Sequence, residues 1–238
     1  MTKYIASISF GKDSLAMLLK IIEHKLPLDE VVYCEPWFDD KLSAEFPEMF
    51  DFIKEAEQIL EKKFGIKVKR IKSEFTFKQV FYQKKKKGKF VGTIYGFPMT
   101  LKAWCNDRLK MKALDDYFKK QGEHIRYIGY ACDEPNRIKR LAKNEVAPLV
   151  DLQITELDAY EICKQEGLLA PLYKDFQRIG CWFCPKQSLK SLKVVYKKYP
   201  DLWEILKELQ NDSPVPFRPN KTIFDLDRKF NEVKDENS

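Results

Sequence analysis

The sequence predicts an α/β protein with a Rossmann-like, open and mainly parallel sheet, helices on both faces, and a small helical part at the C-terminal end. Three observations carry this. Short apolar segments of strand length alternate with longer segments of helical periodicity. The 238 residues fit one large domain, or one with a small appendage. The notable polar residues lie after strand ends, where open α/β sheets bind ligands, or in two cysteine segments.

The elements follow in order. Residues 4–9 read as a short, largely apolar strand, and Phe10-Gly11-Lys12-Asp13 breaks it. From Ser14 onward Leu15, Leu18, Leu19 and Ile22 recur at helical spacing. After Asp29, residues 31–34 form a second buried strand, and Phe50, Ile53, Ile59 and Leu60 mark a helix ending near Gly65. Residues 66–71 alternate as a third strand. Residues 73–99 break the alternation with a lysine run and many aromatics, and read as an inserted loop region with some helix. A helix over 109–121 stops at Gly122, and 125–130 is a fourth strand. Thr155 caps a helix through Gln165, with Asp158 at the capping-box position. Residues 188–199 and 202–209 are helical, and the polar tail after Pro214 is assigned no element. The expected domains are 1–185, an α/β unit, and 186–238, a helical extension.

Composition limits the function. A 44% hydrophobic, 33% charged chain is neither disordered nor membrane-embedded, and no apolar run is long enough to span a bilayer. The first residues lack the apolar core of a secretory signal. Six cysteines in that context point to a reducing, cytoplasmic setting, where they serve as metal ligands, catalytic thiols or core residues. Lys and Arg exceed Asp and Glu by 43 to 36, so the favoured partner is anionic.

The first loop is the strongest local signal. Ser9, Phe10, Gly11, Lys12, Asp13 and Ser14 lie between a strand and a helix, where free N–H groups and the helix dipole meet an anion. Gly11 permits a positive φ and close backbone approach. The serines supply hydroxyls and Lys12 supplies charge. The segment is not a Walker motif. It resembles the PP-loop, Ser-Gly-Gly-x-Asp-Ser, of ATP pyrophosphatases and sulfonucleotide reductases, with Phe10 in the first glycine position.

Further segments, in order, extend that resemblance to the phosphoadenosine phosphosulfate (PAPS) reductase family over about the first 200 residues. They are Glu45-Phe46-Pro47-Glu48, Trp104-Cys105-Asn106-Asp107-Arg108-Leu109-Lys110, Gly129-Tyr130-Ala131-Cys132-Asp133-Glu134-Pro135-Asn136-Arg137, Pro148-Leu149-Val150-Asp151 and Ile179-Gly180-Cys181-Trp182-Phe183-Cys184-Pro185. The resemblance implies an adenine nucleotide, ATP or an adenylyl sulfate, with Mg²⁺. Ser9 to Ser14, Lys110, Gly129, Asp133, Glu134 and Arg137 would then bind it, and Lys12, Asp13 and Arg137 would act in catalysis. Ala131 stands where the family often has an arginine. By chemistry alone, Arg137 suits phosphate or sulfate and Asp133 and Glu134 suit Mg²⁺ or a ribose hydroxyl, whereas Lys139 and Arg140 read as surface charges.

Cys181-x-x-Cys184 brings two sulfurs together on a turn eased by Gly180, a spacing that suits Zn²⁺ or an iron–sulfur cluster. With Cys105 it matches three ligands of the family's cluster-bearing members, and Trp104 replaces the first cysteine of their pair. A 4Fe-4S cluster with one open iron and a fourth ligand from Cys132, Cys34, His124 or Asp107 both stay open, as do zinc and free thiols. Cys34 and Cys163 read as core residues.

Lys84-Lys85-Lys86-Lys87, close to Phe75, Phe77, Phe81, Tyr82, Tyr95 and Phe97, suits a nucleic acid such as tRNA or DNA. The plainer reading is an exposed lysine loop over an aromatic core. A homodimer is left open. The functional expectation is an ATP-using enzyme that cleaves or transfers at the α-phosphate, with adenylylation and sulfur transfer to nucleic acid or a metabolite. A sulfonucleotide reductase is the alternative, although this chain has no cysteine after Cys184 to attack sulfate. A non-catalytic nucleotide or nucleic-acid binder is the third.

Overall fold

The computed structural model describes residues 2–99 and 103–235, with side chains to residue 232. The chain divides into two compact units that interleave in sequence: Met1–Glu35, Pro47–Lys72 and Lys112–Tyr173 form one, and Pro36–Phe46, Ser73–Met111 and Lys174–Ser238 the other.

The first unit holds a five-stranded, all-parallel sheet in the order β3-β2-β1-β4-β5. The strands are β1 Lys3–Ile8, β2 Glu30–Glu35, β3 Val68–Lys72, β4 His124–Ile128 and the two-residue β5 Glu145–Val146. Helices α1 Lys12–Glu23 and α2 Pro47–Phe64 follow β1 and β2. Strands β1 to β3 step one way along the sheet and β4 to β5 the other. Right-handed crossovers therefore place the connecting helices on opposite faces. On one face Leu114, Tyr117 and Phe118 of α5, Lys112–Lys119, pack on Ile5, Val32 and Cys34. This confirms Cys34 as a core residue. Tyr33 points from β2 to the opposite face, as the alternation of a pleated strand requires.

The strand order reverses between β1 and β4, so the loops leaving these strands flank the switch point at which such sheets bind ligands. Two short helices, α6 Pro135–Ile138 and α7 Pro148–Asp151, precede α8 Glu156–Gln165. The expected capping box of α8 is present: Thr155 Oγ1 accepts from the Asp158 amide, and Asp158 accepts from the Thr155 amide. The fifth strand was not legible in the sequence. It is too short for a pattern and exists through its pairing with Arg126 and Tyr127.

The second unit is built around aromatic rings. Phe77 and Phe81 of α3, Phe77–Tyr82, pack with Phe38, Phe97, Trp182, Phe183 and Phe217, all buried. Three of the seven aromatics of residues 73–99, Phe77, Phe81 and Phe97, are thus core, whereas Phe75, Tyr82 and Phe90 are exposed. The helix expected over 109–121 is divided. A short turn α4 Trp104–Asn106 and a π turn over Asp107–Met111 belong to this unit, and α5 belongs to the first.

Helices α9 Leu189–Lys198, α10 Pro200–Asp212 and α11 Ile223–Asp235 complete the second unit. Helix α11 lies in the polar tail, to which the sequence assigned no element. Thr222 and Asp225 cap it, and Ile223, Leu226 and Phe230 are buried. No helix among the described residues is long and apolar enough to cross a membrane.

Candidate functional site

The loop from β1 to α1 is closed by Ser14. Its Oγ accepts from the Ser9 amide at 3.1 Å, donates to the Gly11 carbonyl at 2.9 Å, and lies 3.3 Å from Ser9 Oγ. The positive φ that glycine would permit at Gly11 falls on Phe10 instead, at 55°. Gly11 is the N-cap of α1 at φ −75°, where any residue is comfortable. Phe10 therefore takes a left-handed conformation that a glycine would adopt freely. It does so because its ring is fully buried, edge-on to Tyr33 at 5.0 Å. Left-handed backbone costs an L-residue roughly 1–2 kcal/mol, less than the roughly 3–5 kcal/mol typical of a buried phenyl truncation.

Gly129, just beyond β4, lets the backbones meet. A Cβ there would lie 2.8 Å from Ser14 Cα and 2.9 Å from the Asp13 carbonyl oxygen and the Ser14 nitrogen. Glycine is required by this close approach at the first turn of α1. The amides of that turn have no acceptor within the helix and stand at the positive end of its dipole. One is occupied: Lys12 N–H donates to the Tyr173 hydroxyl at 2.9 Å. Burial raises the pKa of that phenol well above its ordinary value.

Lys12 is buried among carboxylates. Its Nζ donates to Asp13 Oδ1 at 2.6 Å and to Glu156 Oε2 at 3.1 Å. Burial raises the Asp13 pKa, against the lowering by Lys12. Asp133 accepts from the Glu156 amide at 3.1 Å. Arg137 donates to both oxygens of Glu134, at 2.7 and 2.9 Å, and lies 4.2 Å over the Tyr130 ring. Lys139 and Arg140 are exposed, as read. The segments after β1 and β4, with the start of α8, thus gather two cations, Lys12 and Arg137, and four carboxylates, Asp13, Asp133, Glu134 and Glu156.

Three residues of this site escaped the sequence reading. Glu156 and Tyr173 are joined to Lys12 across separations of 144 and 161 residues. The Cys163 thiol donates to the Lys12 carbonyl at 3.1 Å, and burial raises its pKa to about 12. Cys163 is buried as expected but also buttresses the loop. Only Glu156 had a local signal, its place in the first turn of a capped helix.

Lys110, Cys105, Cys181 and Cys184 lie in the second unit. Cys184 N–H donates to the Cys181 carbonyl at 3.0 Å, forming a tight turn. Gly180, before the turn, has no positive φ. Buried Trp182 anchors the segment: its amide donates to the Ala44 carbonyl and its indole N–H to that of Ser43. Burial and the proximity of Cys184 raise the Cys105 pKa to about 11. Burial also pushes the Cys181 thiol up, opposed by Lys110 and reinforced by Glu45, Cys184 and Cys105. The three sulfurs therefore sense one another, and Lys110 belongs to their surroundings. Among the described residues no group of three His, Cys, Asp or Glu side chains is set to hold a metal ion. The donors suit a soft metal in chemistry, but as placed they do not form a closed coordination shell. Of the suggested fourth ligands, Cys34 is in the sheet core and His124 stacks on Phe118. Cys132, like both of these, lies in the first unit, and Asp107 in the second.

The parallel sheet, its switch point and the serine-closed turn at a helix N-terminus define an α/β protein of the PP-loop type. The family model of the phosphoadenosine phosphosulfate reductase domain matches residues 3–187. The chain belongs to that family, one of PP-loop nucleotide-binding enzymes. It is similar to the uncharacterized protein MJ0066 of Methanocaldococcus jannaschii, with 26% identity over 215 residues. That match covers 84% of this chain, which spans 40% of the relative's length. Among solved structures it is similar to the U34-tRNA thiolase NcsA from Methanococcus maripaludis with its 4Fe-4S cluster. The identity is 16% and the TM-score 0.46, covering 98% of this chain and 71% of that one.

Proposed function

We propose that the β1–α1 turn binds the phosphates of an adenine nucleotide, and that the protein uses ATP to activate an acceptor at the α-phosphate. The observation that carries this is the turn itself. Phe10 holds the left-handed path, Ser14 closes the loop, and Gly129 makes room for the helix end. An acceptor oxygen would attack the α-phosphorus. A new O–P bond forms, the α–β phosphoanhydride bond breaks, and pyrophosphate leaves with the electron pair. The acceptor proton passes to water. The helix amides, Lys12 and Arg137 would stabilise the developing charge.

The charge count refines the proposal. Four carboxylates against two cations repel a bare triphosphate, so ATP should bind with a divalent cation, Mg²⁺ by its chemistry. Lys12 would exchange a carboxylate partner for phosphate, and Tyr173 would release the Lys12 amide. Asp13, Asp133 and Glu134 are the acidic groups placed to face a cation or a ribose hydroxyl. Cys105, Cys181 and Cys184 would hold a soft metal, an iron–sulfur cluster ahead of zinc on the family's pattern. Such a group would supply sulfur or redox chemistry.

The test is thermal unfolding with ATP, adenylyl sulfate and PAPS, with and without Mg²⁺. A ligand at 100 times its Kd adds about 2.7 kcal/mol. ATP should raise the melting temperature only with Mg²⁺, and turnover should yield AMP and pyrophosphate. Sulfite released from an adenylyl sulfate with a thiol donor would indicate a reductase instead. No stabilisation by any of the three nucleotides would defeat the proposal. For the thiols, iron and zinc analysis after anaerobic purification should show metal that Cys181→Ser loses; unchanged content would reject the assignment.

A further inference from the structure

Residues 83–95 leave the aromatic core of the second unit as a two-stranded ribbon. Lys84 bridges Ile94 in antiparallel fashion. Lys85 N–H donates to the Thr93 carbonyl at 2.8 Å, Gly92 N–H to the Lys85 carbonyl at 3.0 Å, and Tyr95 N–H to the Gln83 carbonyl at 3.1 Å. The root is fixed. Arg108 donates to Gln83 Oε1 at 2.5 Å and to the Tyr95 hydroxyl at 2.7 Å, and Gly96 N–H donates to the Phe81 carbonyl at 3.1 Å. The tip is open to solvent. Lys86, Lys87 and Lys89 are exposed, and Phe90 and Val91 are each 60% exposed. No acidic residue occurs between Gln83 and Met99.

We propose that this ribbon is a binding element for unpaired nucleic acid, with the lysines on phosphates and the Phe90 ring stacked on a base. Charge and shape both favour that partner. Five lysines in six residues, 84–89, with no nearby acid in sequence, form a track for a polyanion. An exposed ring beside that track offers a face to any base, and stacking tolerates all sequences. Lys85 and Lys89 ammonium groups lie 5.6 and 6.0 Å from the Phe90 centroid, so cations flank the ring. A membrane fits less well. One phenylalanine and one valine offer less apolar surface than a myristoyl chain, which itself binds bilayers only marginally. The proposal does not depend on the nucleotide site, and its failure leaves that reading untouched.

The test uses the full chain and a fluorescein-labelled, mixed-sequence single-stranded RNA, followed by anisotropy across a salt series. Single-strand binding loses about 0.7 in log K per log salt for each phosphate neutralised. The combined Lys86→Gln, Lys87→Gln and Lys89→Gln variant should therefore flatten the slope by about 2. Phe90→Ala should weaken binding about 5- to 150-fold with the slope unchanged, and Phe90→Trp should retain it. These side chains are exposed, so the variants should melt with the parent. Absence of RNA binding at low salt overturns the proposal, as does a triple variant with unchanged slope. A Phe90→Ala variant as tight as the parent, equal affinity for duplex, or capture by phosphatidylserine vesicles in place of RNA would each do the same.

Discussion

Phe10 stands where the PP-loop pattern has a glycine, so Phe10→Gly restores the pattern and removes backbone strain at φ 55°. We expect it to destabilise the protein nonetheless. Relief of the left-handed conformation returns about 1–2 kcal/mol. Deleting a fully buried ring that packs on Tyr33 loses about 3–5 kcal/mol. The freer glycine in the unfolded chain adds a loss of about 0.5–1 kcal/mol. The net loss is about 1.5–5 kcal/mol. At about 2–4 °C per kcal/mol for a chain of this size, the melting temperature should fall by about 3–20 °C. Phe10→Ala is the sharper comparison. It loses the ring and keeps the strain, so it should be less stable than Phe10→Gly by about 1 kcal/mol. Thermal unfolding of the three proteins in one buffer gives the order. A Phe10→Gly protein as stable as the parent would show that the ring does not hold the turn. An alanine variant above the glycine variant would show that the backbone is not left-handed.

Two other outcomes follow from single contacts. Gly129→Ala puts a methyl against the backbone of Asp13 and Ser14 and should cost about 1–3 kcal/mol and weaken nucleotide binding; Gly180→Ala, with nothing within 4 Å, should leave unfolding near parental, and equal melting temperatures for the pair would contradict the close approach. Burial works to raise the Glu30 pKa, but hydrogen bonds from Lys69 and Tyr117 outweigh it and hold the carboxyl below its ordinary 4.5. Its contribution is present above that value and lost as pH falls through the lower folded one, so Glu30→Gln should flatten the decline of stability with acid, and an unchanged acid limb would reject this linkage.

Local residues determined much of the protein. Strands and helices alternate because their apolar periods differ, which made the parallel sheet legible. The capping box of Thr155 and Asp158 was readable because donor and acceptor lie within one turn. The order of the Ser9–Ser14, Asp133–Arg137 and Cys181–Cys184 segments carried the family. Contacts between distant segments decided the rest. The left-handed residue is Phe10 and not Gly11, because Tyr33, on another strand, supplies a seat for the ring. Lys12 meets Glu156 and Tyr173 only when α8 and the turn at 171–174 reach α1. Strand β5 exists through pairing with β4, and α11 emerges from a polar tail because α9 and α10 cover its apolar side. Sequence alone fixes what a residue and its near neighbours favour along the chain. Which groups a buried ring or a buried ammonium finds across the chain is set by packing, because those partners become neighbours only in the folded state.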